Sequence, residues 1–225
     1  MGNAYVRKRT PHDNEEPALT AIDCNLTLSP AGWAEGNGTI TWSGLDALAR
    51  SSFTDPHTRE KDIQSIVQSY LEEATISAVE LDKLDEPDKP LECHFQATIP
   101  HLALTSINGL EVLSGVSEQS LCSQFITLPR RKYPMLIDRS FYQTNRYTIN
   151  LPEGSVVSPA DGNRQISSAF GEYKLEWNVS GDKLVVQRMV KIYPHTISTS
   201  AYPGFAEFCR SVDQADMVPL EIKPE

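Results

Sequence analysis

The chain has 225 residues, enough for one large β domain or two of ordinary size, and its 40% hydrophobic and 22% charged content permits a packed core and argues against global disorder. Thirty acidic against 20 basic side chains give a net charge of −10, which argues against a duplex-binding surface; the basic clusters Arg7-Lys8-Arg9 and Arg130-Arg131-Lys132 are short and expected in linkers. No run of about 18 apolar residues offers a membrane-spanning helix, the N-terminus lacks the apolar stretch of a secretory signal, and Val6 breaks the myristoylation pattern that Met1-Gly2 opens.

Residues 1–19 are polar, hold two prolines, and read as a linker or loose first strand. From Ile22 the chain alternates: Ile22, Cys24, Leu26 and Leu28 share one face, and Asp23, Asn25 and Thr27 the other, as in a half-buried strand. Gly32, Gly36 and Gly38 mark a turn before an extended run over Thr39 to Trp42. Asp55 and Pro56 then open a helix of about 56–73, whose apolar stripe is Ile63, Ile66, Val67, Tyr70 and Leu71.

A strand over 75–82 and a charged turn from Asp85 to Pro90 precede a cleanly alternating strand, with Leu91, Cys93, Phe95, Ala97 and Ile99 inward and Glu92, His94, Gln96 and Thr98 outward. Leu110–Leu113 and Leu121–Leu128 are shorter strand candidates, and Arg130 to Pro134 interrupts the pattern. In the second half Tyr147, Ile149 and Leu151 alternate, and Tyr173–Val179 and Leu184–Ile192 form a hairpin about Ser180-Gly181-Asp182. Arg188 falls on the apolar face of that hairpin, so it must sit at the sheet's end or find a carboxylate. A helix of about 203–216 follows, and Val218 to Ile222 reads as a final edge strand because of Pro219. The expected fold is mainly β (α+β): two antiparallel β-sandwich-like units with one packed helix each, covering 20–129 and 130–225.

Cys24, Cys93, Cys122 and Cys209 form no Cys-x-x-Cys pair, which argues against a zinc ribbon or thioredoxin-like site; spacing assigns no disulfide, and buried free thiols are expected. Cys93 and His94 are adjacent on a strand and point to opposite faces, so they cannot form a nucleophile–base pair. His12, His57, His94, His101 and His195 are scattered with no i, i+4 pair, and the acidic turn at Asp82, Asp85, Glu86 and Asp88 lacks the spacing of a helix–loop–helix calcium site. No metal or other cofactor is expected. Gly36-Asn37-Gly38 precedes a strand and so is no nucleotide fingerprint. Trp33 and Trp42 are the candidate ligand contacts, since aromatic platforms hold sugars, whereas Trp177 is in phase with the core residues Tyr173 and Leu175.

A series of short motifs adds a resemblance: Gly44–Arg50, Leu84–Leu91, Arg130–Pro134, Ile149–Gly154, Phe170–Tyr173, Tyr202–Phe208 and Val212–Asp216. In order and spacing these resemble the C-terminal β-rich region of bacterial transglutaminase-like proteins, which carry an N-terminal domain of unknown function, a papain-like core and a C-terminal domain of unknown function. The resemblance runs from about residue 20 to the C-terminus and rests on turns, core aromatics and caps. It places the family's catalytic Cys-His-Asp upstream of residue 1, and this chain offers no equivalent set. It implies a non-catalytic accessory or scaffolding role in the periplasm or cell envelope, with the transglutaminase-like core or another protein as partner. A carbohydrate or cell-surface binding module and a cysteine hydrolase or transferase are the alternatives.

Overall fold

The computed structural model describes residues 19–44, 50–51, 53–116 and 120–224. The expected N-terminal linker, Arg7-Lys8-Arg9, His12 and Leu45–Ala49 of the first motif lie outside them. The protein is mainly β, as the alternating patterns require, with fourteen strands and three helices among the described residues. Eight strands form one large sheet in the order β10-β11-β12-β8-β1-β2-β4-β3. These are Asp161–Ser167 (β10), Gly171–Ser180 (β11), Lys183–Ile192 (β12), Phe141–Asn150 (β8), Leu19–Leu28 (β1), Ala34–Ser43 (β2), Leu91–Ile99 (β4) and Thr75–Asp82 (β3). A second sheet runs β5-β6-β14-β9, from Leu104–Ser106, Gly109–Leu113, Pro219–Pro224 and Ser155–Ser158, and β7 (Met135–Ile137) pairs with β13 (His195–Ile197).

Within each half of the chain the strands pair antiparallel, and the halves meet along the parallel pair β1–β8, where Ile22 lies beside Asn145 and Cys24 beside Tyr147. A parallel pair needs a long crossover, supplied here by everything between β1 and β8. The second sheet is shared too, since β6 pairs with β14.

Where local pattern decides, the elements fall as expected. The β11–β12 hairpin turns at Gly181-Asp182, with Gly181 at φ +62°, the left-handed conformation a two-residue hairpin loop needs. Helix α1 (Arg59–Tyr70) buries Ile63 and Val67; it starts later than Pro56 because Asp55 and Pro56 make a turn first, in which Asp55 Oδ1 accepts from His57 N. Helix α3 (Tyr202–Asp216) buries Phe205, Phe208, Cys209 and Val212, with Phe205 edge-on to Phe170 and Phe125.

Three expectations fail for tertiary reasons. Gly36 and Gly38 are inside β2: a Cβ on Gly38 would stand 2.3 Å from the Phe95 ring and 2.9 Å from Cys24 Sγ, so the glycine lets the core close over the strand. Leu121–Phe125 is a short helix, α2: Ser120 is its N-cap, accepting from Ser123 N, and Asp213 of α3 adds a second cap from outside by accepting from Leu121 N, Cys122 N and Ser120 Oγ. Strand β14 is interior, between β6 and β9. Pro219 is tolerated there as its first residue, paired only to Leu113 of β6, while β9 joins from Glu221 onward.

Candidate functional site

Alternation gives the large sheet one covered and one open face. One cross-strand row on the open face reads Asn163, Glu176, Gln187, Arg146, Asp23, Thr39, His94 and Glu80, one residue from each of the eight strands, each in register with the next. At the ordinary strand spacing this polar row is roughly 34 Å long. Clefts lie along it. A cleft of about 340 Å³ is lined by Asp23, Thr39, Arg146, Glu176 and Gln187 among others. A wider one, of about 860 Å³, is lined by Asn25, Asn37, Thr39, Glu80, His94 and Gln96 among others. Such a surface offers hydrogen-bond donors and acceptors and charges of both signs, the chemistry of polar contact.

At the β3–β4 end three ligand-type side chains meet. Asp82 pairs directly with Glu92 across the strands, and His94 is two residues along β4 on the same face. His94 Nε2 lies 3.5 Å from Asp82 Oδ2 and 3.9 Å from Glu92 Oε2, while Nδ1 is 3.0 Å from Thr39 Oγ1. Lys83 Nζ holds the other Glu92 oxygen at 2.5 Å. Reading the histidines as scattered missed this group. The available signal was Glu92-x-His94 on one face of a clean strand, but placing Asp82 beside it requires the β3–β4 register.

The covered face behind the row carries a polar network. Arg188 finds a carboxylate: Nε and Nη2 donate to both oxygens of Asp216 at 2.8–3.0 Å, and Tyr173 donates to Asp216 Oδ1 at 2.7 Å. Arg188 is 3% and Asp216 5% exposed. Burial works against the guanidinium charge, but Asp216 outweighs it and the Arg188 pKa is raised. Beside it Gln143 donates to Asn145, and Asn145 to the Tyr147 hydroxyl.

The two tryptophans singled out from sequence are not brought together. Trp33 is 41% exposed at the β1–β2 turn, whereas Trp42 is 5% exposed, packed on Phe53 with ring centroids 5.6 Å apart. They flank β2 at opposite ends, roughly 30 Å apart along the strand, so Trp42 is a core residue and no aromatic platform forms.

All four cysteines are free. Burial, with a minor contribution from Asp23, pushes the Cys24 thiol up to about 12, and burial alone takes Cys93 to about 12. Burial, aided by Asp213, raises Cys209 to about 12 and Cys122 to about 11. Cys93 faces the core and His94 the open face, as strand geometry demands. Arg210 acts to lower Cys122 and Cys209, but burial and Asp213 outweigh it, so none of the four thiols is shifted toward the reactive thiolate.

The motifs behind the resemblance act as structural joints. Arg50 donates to the carbonyls of Lys83, Leu84 and Lys89, tying the end of the first motif to the second. Tyr202 donates to Leu128 O at 2.6 Å, and the Arg131 guanidinium lies 5.3 Å from the centre of the Tyr202 ring.

Residues 112–222 match the family model described as a Domain of Unknown Function with solved structure, DUF3858. The match opens in β6 and closes in β14, two strands paired with each other, and includes α2, the β11–β12 hairpin and α3. No curated protein matches the chain.

Proposed function

We propose that this chain is a non-catalytic accessory module that contacts another protein through the open face of its eight-stranded sheet. The observation that carries the reading is the unbroken polar row from Asn163 to Glu80, set over a covered face whose apolar side chains are buried in the core. The fold invests its apolar residues on one side and leaves the other as a broad polar contact surface. Thiols held protonated by burial support a role without cysteine chemistry.

The resemblance carried by the motif series implies a papain-like transglutaminase core or another protein as the partner, with the cell envelope as the setting. Titrating such a core into the ¹⁵N-labelled chain tests the proposal. Shifts should cluster on the row about Asp23, Arg146 and Gln187 and weaken in Arg146→Asp. Shifts confined to α3 or the second sheet, or none with any core tried, would remove it.

A carbohydrate ligand is the second reading. It is favoured by the Asn25, Asn37 and Gln96 amides in the wider cleft, which suit sugar hydroxyls. Retention on immobilised glycans, lost in Asn37→Ala, would support it over the protein partner.

A further inference from the structure

We propose that Asp82, Glu92 and His94 form a binding site for a divalent cation of the zinc class at the β3–β4 end of the open face. One ligand atom from each residue lies within 4.8 Å of the other two. Zinc bonds of about 2.0–2.1 Å in tetrahedral geometry place donors roughly 3.3–3.5 Å apart. His94 Nε2 already stands 3.5 Å from Asp82 Oδ2 and 3.9 Å from Glu92 Oε2, so side-chain rotation at these partly exposed carboxylates draws them in around the imidazole. Neither distance is that of a direct hydrogen bond, so the three donors face one another around a shared space.

The surroundings prepare each ligand. Thr39 Oγ1, 3.0 Å from Nδ1 on the neighbouring strand β2, accepts the ring hydrogen in the tautomer that leaves the Nε2 lone pair facing the carboxylates. An outer partner of this kind orients metal-bound imidazoles generally. Lys83 occupies Glu92 Oε1 and leaves Oε2 for the cation. Two carboxylates and a neutral imidazole, with the Lys83 ammonium on Glu92, carry a net charge of −1, which attracts a cation. The nitrogen ligand and the low oxygen count select zinc-class ions over calcium, which takes six to eight oxygens. All three side chains are partly exposed, so a fourth coordination position opens to solvent beside the wider cleft, within reach of a carboxylate or imidazole on whatever docks there.

The test is calorimetric titration of Zn²⁺ into the chelator-treated full chain, with the His94 ring nitrogens followed by NMR. One zinc should bind, with a large shift confined to Nε2 of that ring. His94→Ala and Asp82→Asn should each weaken binding tenfold or more, and Thr39→Val roughly 10–100-fold by releasing the ring. His57→Ala and His101→Ala should leave the affinity unchanged. These side chains lie on the solvent side of the sheet, so an unchanged melting temperature separates loss of metal from loss of fold. No zinc uptake by the wild-type chain, or equal affinity in His94→Ala and Asp82→Asn, overturns the site.

Discussion

Two neighbouring rows of the large sheet show how differently its faces are used. The open row runs through Gln187, Arg146, Asp23, Thr39 and His94. One residue along each strand, the covered row runs through Arg188, Asn145, Ile22, Ile40 and Cys93. The groups of the first row are exposed or half-buried. In the second, the β1, β2 and β4 end is apolar, while the β8 and β12 end holds a charge and an amide that the protein itself must satisfy. The same residue type therefore means opposite things one position apart. Arg146 is available for contact, whereas Arg188 is consumed by Asp216 and Tyr173.

The sharpest way to break this comparison is to remove the carboxylate. Asp216→Ala leaves the Arg188 charge buried without its carboxylate and should cost about 3–5 kcal/mol, lowering the melting temperature by roughly 6–20 °C. The double replacement Arg188→Met with Asp216→Leu should recover much of that loss, because an apolar pair needs no partner. If the single and double variants melt alike, the ion pair is not what holds α3 to the sheet.

Phe205→Ala should cost about 3–5 kcal/mol by opening a cavity among Phe125, Phe170 and the sheet. An unchanged melting temperature would mean that α3 is not docked in solution.

A smaller effect is expected at Cys24, in the apolar part of the covered face. Its folded pKa of about 12 exceeds the usual thiol value, so the folded state keeps a proton that the unfolded chain releases. The associated stability is fully present below about pH 8.5 and is lost progressively as the pH rises toward 12. By pH 10 the wild type should have lost about 1–2 kcal/mol more than Cys24→Ala, read from urea midpoints at pH 7 and pH 10. A constant difference between the two proteins would place Cys24 in contact with solvent.

The smallest effects belong to the open row: Arg146→Ala and Gln187→Ala should change stability by no more than about 0.5 kcal/mol. A larger loss would mean that this face is structural and not free for contact.

Sequence alone determined the alternating strands, the β11–β12 hairpin, α1 and α3 to within a few residues, and that Arg188 must sit at the sheet's end or find a carboxylate. Each of these is a local consequence of side-chain period, turn chemistry or the cost of a buried charge. The identity of that carboxylate, the glycine-lined strand β2, the externally capped helix α2, the interior place of β14 and the burial of Trp42 required tertiary partners. So did the parallel seam β1–β8, whose strands are more than a hundred residues apart in the chain. The site follows the same division. Period two puts Asp23, His94 and Arg146 on solvent-facing positions of their own strands. Only strand order and register align them in one row and bring Asp82 to Glu92 and His94, because pairing partners are chosen by the fold and leave no local mark in either strand.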